Sequence, residues 1–327
     1  MGDSNVNYNM NDKMSYAPIA LFTYNRAEHT KQAVESLLKN REAKDSDLFI
    51  FSDGPKNEKA KRGVEENRAY IKTLKDGNVN GNFRSVTIIE REKNWGLANS
   101  LIAGITEIVN KYGRVIVVED DLILSPYFLK FMNDALEKYK DDERVSTICS
   151  FTNPVKEELP ETFFLRYFAC WGWATWKRGW DLLEQDSRKL LWKLRNTWKV
   201  DEFNIDNSYN FYNMLYGQML GEIDSWAIRY YASSFVNDKL MLYPGRSLCA
   251  QMGIDGSGTH AGSVNNMQVE MTTIPINIPD SIKVEEHKEA YEIYSHFYRS
   301  QWGFHTPYNI FKYFIRRLIA IDFWQHK

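Results

Sequence analysis

Three consecutive carboxylates, Glu119, Asp120 and Asp121, follow a run of four aliphatic residues at 115–118. Adjacent carboxylates at the end of a buried strand repel one another unless a cation neutralises them. Oxygen ligands of this kind suit Mg²⁺ or Mn²⁺, which leave several coordination positions to water and phosphate oxygens. The alternative is an acidic cluster at the N-terminus of a helix that begins near Ser125. Because the acids come before that point, we favour a metal-diphosphate site.

A second candidate for ligand contact is Arg26, which ends the Thr-Tyr-Asn-Arg segment 23–26 after the first apolar run. An arginine at the carboxyl end of a strand can contact a phosphate or a nucleobase through paired hydrogen bonds or stacking. Neither a Walker-type loop nor a Gly-Xaa-Gly-Xaa-Xaa-Gly sequence follows that strand. Kinases, NTPases and nicotinamide enzymes are therefore poor candidates.

The elements that must position these residues alternate regularly in the first half of the chain. Apolar runs separated by helical patterns predict a doubly wound α/β domain with a mostly parallel sheet, in which ligands bind beyond the carboxyl ends of the strands. Residues 160–245 are rich in aromatic side chains and have a mostly helical pattern, with a short strand at 240–243. The other predicted strands are 18–23, 48–51, 86–89, 115–118 and 145–150, and the predicted helices are 28–39, 58–75 and 97–112.

The composition excludes several classes of protein. Over 327 residues, 41 Lys+Arg against 43 Asp+Glu give a net charge of -2, which argues against a nucleic-acid partner. Three scattered cysteines are too few for a disulfide framework or a thiolate metal site. No apolar run approaches the roughly 20 residues that a membrane-spanning helix needs, and residues 1–16 are polar, so we expect a cytoplasmic protein.

Taken in order, these segments resemble nucleotide-sugar glycosyltransferases of the GT-A fold, especially the family of N-acetylglucosaminyltransferase I and its bacterial relatives. The acid triplet with the aromatic residues that follow it is the most specific part of the resemblance. The implied fold is α/β, a mostly parallel sheet flanked by helices, with an aromatic-rich helical region on the acceptor side. The matching segments are 19–26, 52–54, 94–98, 117–122, 125–128 and 171–173.

The resemblance implies a UDP-sugar donor and a role for each matched charged residue. Arg26 and Asp53 would hold the nucleotide, with Asp53 accepting a hydrogen bond from uracil. Asp121 would coordinate Mn²⁺ (or Mg²⁺) at the diphosphate. Glu119 and Asp120 would contact sugar and ribose hydroxyls.

Two further segments have a role by the same resemblance. Trp171, Gly172 and Trp173 would lie beneath the donor sugar or the acceptor, and hydrophobic packing is the alternative for this tripeptide. His260, in the glycine-rich loop 253–262, would bind the diphosphate or the metal. The alternative for His260 is an ordinary surface histidine.

An inverting transferase also needs a general base to take the proton of the acceptor hydroxyl. By its position in the chain, the best candidate is Asp224, before a predicted helix at 226–237. An aspartate at a helix start is also an ordinary N-cap, so this alternative stays open. Glu222 and Asp181 are the fallback candidates.

The last predicted helix, 308–324, has an apolar face and basic residues largely away from it. Such a helix either packs on the protein, which we favour, or rests on the inner face of an anionic membrane, where a lipid-linked acceptor would be found. We divide the chain into a loosely packed or disordered N-terminus (1–16), a nucleotide-sugar-binding half (17–152), an acceptor-binding half (153–282) and a helical tail (283–327).

Together these features predict an inverting, metal-dependent glycosyltransferase of bacterial polysaccharide biosynthesis. It would transfer a GlcNAc-type sugar from a UDP-sugar to a hydroxyl of a glycan or lipid-linked oligosaccharide. A sugar nucleotidyltransferase is one alternative, but the glycine-rich basic loop typical of those enzymes is absent from residues 17–33. The other alternative is a catalytically inactive sugar-binding protein, which has no need of three clustered charges.

Overall fold

The computed structural model describes residues 16–77, 82–252 and 267–301, together with residue 315. An eight-stranded mixed sheet and a separate two-stranded sheet are flanked by helices. The strands are β1 (Ile19–Thr23), β2 (Asp47–Ser52), β3 (Ser85–Glu90), β4 (Arg114–Glu119), β5 (Leu122–Leu124), β6 (Val145–Cys149), β7 (Thr162–Leu165), β8 (Trp173–Trp176), β9 (Leu240–Pro244) and β10 (Cys249–Gln251). The helices are α1 (Ala27–Leu38), α2 (Glu58–Gly77), α3 (Leu97–Tyr112), α4 (Phe128–Lys138), α5 (Lys177–Trp180), α6 (Ser187–Thr197), α7 (Val200–Phe203), α8 (Phe211–Leu220), α9 (Trp226–Val236) and α10 (Lys288–Gln301), with a 3-10 helix at Arg41–Asp45.

The parallel part of the large sheet is formed by β3, β2, β1 and β4 in that spatial order, which confirms the predicted α/β architecture. The register pairs Thr23 of β1 with Ser52 of β2, and Phe22 of β1 with Glu119 of β4. The carboxyl ends of these three strands are therefore level. The segments that follow them, each singled out from the sequence, meet at one edge of the sheet.

Strand β4 is buried along its whole aliphatic stretch, residues 115–118, as the continuous apolar pattern predicts. Helix α3 approaches the sheet closely at Gly104, where an added Cβ would lie 2.8 Å from the Phe22 ring and 3.1 Å from the Phe51 ring. Those two rings stack at 5.0 Å between centroids. Helix α3 therefore packs closely on the sheet at this point, and a side chain larger than that of glycine would not fit at residue 104.

The second part of the sheet was predicted only in part. Strand β8 lies antiparallel between β4 and β6, and β7 pairs antiparallel with β9 at the far edge. Helices α5 to α9 confirm the helical pattern of residues 160–245, but β7 and β8 lie in the same stretch. Each has four residues, and its aromatic composition suits a buried helix as well as a strand.

An aromatic cluster fills the space between β8 and helices α5 and α9. Trp173 of β8 is its centre and is fully buried. Its ring stacks on Trp226 at 5.4 Å and meets Phe168 edge-on at 5.3 Å. Tyr230 and Trp180 complete the cluster, at 5.5 and 5.9 Å from Trp173. The aromatic load of this region thus serves the core in large part.

The C-terminal segment joins the far edge of the sheet. Glu286 forms a parallel bridge with Phe164 of β7, just before α10 begins. One sheet continues across the predicted boundary at residue 152, and the division of the chain into halves stays a prediction. The predicted helix 308–324 lies outside the described residues, apart from residue 315. Within the described part, no helix is both long enough and apolar enough to span a bilayer.

Candidate active site

The acid triplet lies at the carboxyl end of β4, beside the end of β1. The backbone N–H of Asp120 donates to the carbonyl of Phe22 at 3.0 Å, which extends the strand pairing into the loop. One carboxylate oxygen of Asp120 accepts from the backbone N–H of Tyr24 at 3.1 Å, and the other accepts from Arg26 Nη2 at 2.5 Å. The buried Asp120 thereby ties the two loops together.

The guanidinium of Arg26 bridges two of the three acids. Its Nη2 donates to Asp121 at 3.0 Å as well as to Asp120. Burial disfavours the charged guanidinium, but the two carboxylates outweigh burial and raise the pKa of Arg26 above its ordinary value. Its Nη1 is buried and has no hydrogen-bond partner among the described residues. An unpaired buried donor beside acids indicates a place for an anionic ligand such as a phosphate oxygen.

Glu119 shows the cost of placing three acids together. Burial, and then the charges of Asp121 and Asp120, raise the pKa of the Glu119 carboxyl to about 8. Burial also raises the pKa of Asp120, although Arg26 opposes the shift. Three carboxyl groups therefore share one guanidinium. A further cation at this edge would allow all three to ionise.

The carboxylate oxygens of the triplet suit a hard divalent cation that takes most of its coordination from phosphate and water. Within residues 16–77, 82–252 and 267–301, no group of three or more His, Cys, Asp or Glu side chains could hold a metal ion. Asp121 uses one oxygen for Arg26 and remains partly exposed. Mg²⁺ and Mn²⁺ sites commonly take one or two carboxylates and complete their shell with phosphate and water. His260 and the loop 253–262, predicted to assist here, lie outside the described residues.

Asp53, expected to accept a hydrogen bond from a nucleobase, is engaged elsewhere in the structure. Its Oδ1 accepts from the backbone N–H groups of Gly54 and Trp95, both at 2.9 Å. Its Oδ2 accepts from the N–H of Gly96 and from Asn94 Nδ2, both at 3.0 Å. These four donors fill the lone-pair directions of the buried carboxylate. Asp53 therefore fixes the loop before α3, and no free oxygen is left for a base in this conformation.

The loop that Asp53 holds presents an aromatic face to which the sequence assigned no role of its own. Trp95 is 42% exposed, and the guanidinium of Arg91 covers its ring at 4.1 Å from the centroid. Arg91 is itself held, because its carbonyl accepts from Arg68 Nη2 at 2.6 Å. A fixed, exposed indole at the carboxyl edge is a surface on which a nucleobase can stack. The available signal was a tryptophan between Asn94 and a glycine, in the loop that follows β3.

The residues of the 171–173 tripeptide occupy three different environments. Trp171 is partly exposed and meets Phe151 edge-on at 4.4 Å between ring centroids. Gly172 has a φ of +62°, and an added Cβ would lie 2.6 Å from Ser150 Oγ, so the glycine is required by the protein's own packing. Trp173 is enclosed in the aromatic cluster, where it supports the wall without a surface that a sugar could touch. Of the three, Trp171 alone offers a ring to a ligand.

A pocket of about 140 Å³ opens beside Trp171. The charge of Glu119 adds to burial in raising the pKa of the Cys170 thiol, which places this wall of the pocket near the acid triplet. The hydroxyl of Tyr231 donates to the carbonyl of Phe203 at 2.8 Å and is thus already satisfied. Most of the lining is apolar, and it includes Phe151, Tyr167, Trp171, Phe211, Met214 and Ile228. Such a wall suits the apolar face of a sugar ring.

Asp224 directly precedes Ser225, a residue that lines this pocket. Ser225 is the N-cap of α9, because its hydroxyl accepts from the N–H of Ile228 at 3.3 Å. The open alternative, that Asp224 is the cap, is therefore wrong. The exposed Asp224 carboxylate pairs instead with Arg229 Nη2 at 3.4 Å. Its carboxylate is 65% exposed and does not cap the helix.

The two fallback acids lie in different places. Asp181 follows α5, whose first residue, Lys177, donates its N–H to the carbonyl of Gly113 at 2.7 Å. That contact puts α5 at the amino end of β4, opposite the acid triplet. Glu222 is exposed and lies two residues before Asp224, on the same approach to α9. Geometry thus leaves Glu222 as the neighbouring carboxylate to compare with Asp224.

Comparison with known proteins assigns the chain to a family. The GNT-I family profile matches residues 2–201, which is more than half of the chain and includes the acid triplet. The protein therefore belongs to the GNT-I family. The matched range also contains β1 to β8, the strands that form both sides of the candidate site.

One curated relative is the alpha-1,3-mannosyl-glycoprotein 2-beta-N-acetylglucosaminyltransferase of Arabidopsis thaliana. It is 24% identical over 231 residues, which cover 65% of this chain and 50% of that protein. The chain thus spans about half the length of this relative.

Three solved structures have a low similarity to this chain. S. aureus TarS has a TM-score of 0.29 and 13% identity, and the match covers 44% of this chain and 23% of that one. The mannosyltransferase PcManGT from Pyrobaculum calidifontis in complex with GDP-Man and Mn²⁺ has a TM-score of 0.36 and 10% identity, over 68% of this chain and 75% of that one. UDP-glucose pyrophosphorylase complexed with UDP-glucose has a TM-score of 0.38 and 9% identity, over 70% of this chain and 90% of that one. At these TM-scores the likenesses carry no argument about function.

Proposed function

We propose that the protein is an inverting glycosyltransferase that moves a sugar from a UDP-sugar to a hydroxyl of a glycan or lipid-linked oligosaccharide. The observation that carries the proposal is the acid triplet bridged by Arg26 at the carboxyl edge, in a chain of the GNT-I family. The name of the curated relative supports a GlcNAc-type sugar.

On the donor side, the chain's own residues would bind the two ends of the nucleotide diphosphate. Nη1 of Arg26, which has no hydrogen-bond partner in the described part of the chain, would donate to a phosphate oxygen. The exposed face of Trp95 would receive the base, with Asp53 acting as a positioning residue through its hydrogen bonds to the loop. Glu119 and Asp120 would face the sugar and ribose hydroxyls, where carboxylates accept strong hydrogen bonds.

Asp121 would hold Mn²⁺ or Mg²⁺ together with the diphosphate, since its carboxylate is partly exposed and borders the others. The bound cation would supply positive charge that offsets the charge growing on the departing diphosphate. Arg26 would supply the same kind of stabilisation from the protein side. Binding of the cation requires Asp121 to be ionised, and the neighbouring Arg26 guanidinium favours that ionised form.

On the acceptor side, Trp171 and the pocket would hold the acceptor so that its hydroxyl approaches the anomeric carbon. Asp224 would accept the hydroxyl proton as the new glycosidic bond forms and the bond from the anomeric carbon to the diphosphate oxygen breaks. A single displacement inverts the anomeric configuration. The pairing with Arg229 would keep the Asp224 carboxylate in one orientation.

The first test is a thermal-shift panel with UDP, GDP, CDP, dTDP and CMP, each with Mn²⁺, Mg²⁺ or EDTA. A ligand at a hundred times its dissociation constant adds about 2.7 kcal/mol to the stability of the folded state. We expect stabilisation by UDP that depends on Mn²⁺ or Mg²⁺, followed by transfer from a UDP-sugar in a donor-turnover assay. Stabilisation by a different nucleotide would overturn the donor. Nucleotide binding with no turnover of any donor would support an inactive sugar-binding protein.

A further inference from the structure

Helix α6 carries two large apolar side chains on its solvent side. Trp192 is 52% exposed in the middle of the helix, and Trp198 is 88% exposed directly after it. We use the name α6 surface for the exposed side chains of Arg188, Lys189, Trp192, Lys193 and Trp198. A single exposed apolar residue is ordinary, but two largely exposed tryptophans within seven residues of the chain indicate an interaction surface.

The backbone conformation at residue 198 also disfavours a tryptophan. It is the C-cap of α6 with a φ of +59°, in the left-handed region that favours glycine or asparagine. A bulky residue in this conformation is strained, and its exposed ring gains little from packing within the protein. Neither local conformation nor the core therefore accounts for a tryptophan at this position.

Charge is concentrated on the same helix. Residues 187–199 contain five basic side chains and no acidic one, although the whole chain has a net charge of -2. One of them, Lys189, lies 3.4 Å from Glu184, which precedes the helix. The side chains of Arg188 and Lys193 extend from the exposed part of the helix. The α6 surface thus combines a local positive charge with exposed indoles.

The opposite face of α6 is committed to the protein core. Leu190, Leu191 and Leu194 are buried, and the helix packs against α8 and α9. Those two helices contribute Phe211 and Ile228 to the pocket beside Trp171. The α6 surface is therefore on the outer side of the helices that line the candidate acceptor pocket.

We infer that the α6 surface binds an anionic lipid bilayer. Indole rings partition to the boundary between headgroups and acyl chains, and long basic side chains reach the phosphates beside them. Negatively charged leaflets attract basic residues placed close to them. The rings lie on a convex helix, whereas a nucleic-acid strand is usually held in a basic groove with stacking aromatic residues. This inference concerns a surface apart from the catalytic residues and does not depend on the proposed transfer reaction.

The test is co-sedimentation of the full-length chain with vesicles of phosphatidylcholine mixed with phosphatidylglycerol, compared with phosphatidylcholine alone. We expect binding to the anionic vesicles that weakens as salt is added. A triple variant with glutamine in place of Arg188, Lys189 and Lys193 should have a vesicle partition coefficient that is lower by roughly tenfold or more. The matched control replaces Lys59, Lys61 and Lys75, exposed on α2, and should leave binding unchanged.

The variant Trp198→Asn separates binding from folding. Asparagine tolerates the left-handed conformation, so the melting temperature should stay the same or rise while vesicle binding falls. Trp192→Gln, at an exposed helix position, should act in the same direction.

Equal sedimentation with neutral vesicles, or no sedimentation at all, would overturn the inference. So would full vesicle binding by both tryptophan variants, or an equal loss in the α2 control. Retention of single-stranded RNA that the α6 variants abolish, without vesicle binding, would assign the surface to nucleic acid instead.

Discussion

The two sides of the candidate site, which we call the donor edge and the acceptor wall after their proposed roles, are built in different ways. The donor edge consists of charged residues contributed by short segments directly after parallel strands, with Arg26 and the acid triplet joined by hydrogen bonds. The acceptor wall consists of aromatic side chains from β8, α8, α9 and the loops between them, joined by ring contacts such as that of Trp173 with Trp226. One side depends on charge, and the other depends on shape.

This difference determines what a substitution should do on each side. At the donor edge, like charges already crowd together, so removing one carboxylate should change ligand binding and catalysis more than folding. At the acceptor wall, side chains fill a close-packed cluster, so a change of volume or backbone should be felt first in stability. The following variants test this contrast.

The largest effect is expected from Asp121→Asn at the donor edge. Transfer activity should fall by roughly three orders of magnitude, because the carboxylate that would hold the cation is lost. The melting temperature should stay the same or rise, since one of three neighbouring like charges is removed. Steady-state kinetics and thermal unfolding provide the readout, and the matched control is Asp134→Asn, at an exposed side chain of α4. Full activity in Asp121→Asn would refute the metal assignment.

At the rim of the acceptor wall, Asp224→Asn should lower kcat by roughly a hundredfold or more while leaving UDP affinity unchanged. The reason is that a neutral amide cannot accept the hydroxyl proton. Glu222→Gln, two residues earlier, is the control and should retain most activity. If Glu222→Gln were the inactive variant, the general base would be Glu222.

In the wall itself, Gly172→Ala should destabilise the protein by roughly 2 kcal/mol, because the new Cβ would approach Ser150 Oγ at a positive φ. The control is Gly113→Ala, at a φ of +76°, where no heavy atom of the described residues other than the chain neighbours lies within 4 Å of the added Cβ. It should show only the smaller backbone cost, about 1 kcal/mol. Urea denaturation midpoints measure both. Equal losses would show that close packing at Gly172 is unimportant.

For base binding, Trp95→Ala should weaken UDP binding by roughly tenfold, the usual scale of one stacking contact. Asp53→Asn should have a similar effect, because it loosens the loop that holds Trp95. The double variant should then lose little more than either single variant, since both act through the same ring. Isothermal titration calorimetry gives the three affinities. Fully additive losses would mean that Asp53 contacts the base independently.

The smallest effect is expected far from both regions, at the start of β2. Hydrogen bonds from Arg84, with Nε at 2.8 Å, and from Ser85 lower the pKa of Asp47 below its ordinary value of about 4. A depressed folded-state pKa adds stability above the unfolded pKa, and this stability is lost as the pH falls through the folded pKa. Asp47→Asn should cost about 1 kcal/mol at pH 7 and nearly nothing at strongly acid pH. Urea denaturation of both proteins at the two pH values measures the loss of stability. A loss that persists at acid pH would contradict this account.

The first half of the fold could be predicted from local pattern. The aliphatic run at 115–118 indicated a strand covered on both faces, and α3 was predicted with the bounds observed, Leu97–Tyr112. Parallel strands buried on both faces have a distinctive composition, and short loops after them bring distant residues to a common edge. The meeting of Arg26 with the acids follows from these rules.

The antiparallel insertion of β8 between β4 and β6 could not be predicted in this way. Its partner strands, β4 and β6, lie far from it in the chain. The sequence of a four-residue, aromatic-rich strand does not indicate which distant strands it pairs with. The same limit applies to Asp53. Its donors at 94–96 are separated from it by 41 to 43 residues, so its saturation is a property of the assembled loop.

By itself, therefore, the sequence determined the α/β class, the parallel core and the identity of the charged groups at its carboxyl edge. Strand periodicity and residue chemistry are local properties, so they can be recognised from the sequence without knowledge of the tertiary contacts. Tertiary structure alone decided which groups keep free hydrogen-bonding capacity. Among the residues that the structure describes, it left Nη1 of Arg26 without a hydrogen-bond partner, filled the oxygens of Asp53, enclosed Trp173 and exposed Trp198. Burial and hydrogen-bond saturation depend on every neighbour at once, and neighbours are set by packing across the whole chain.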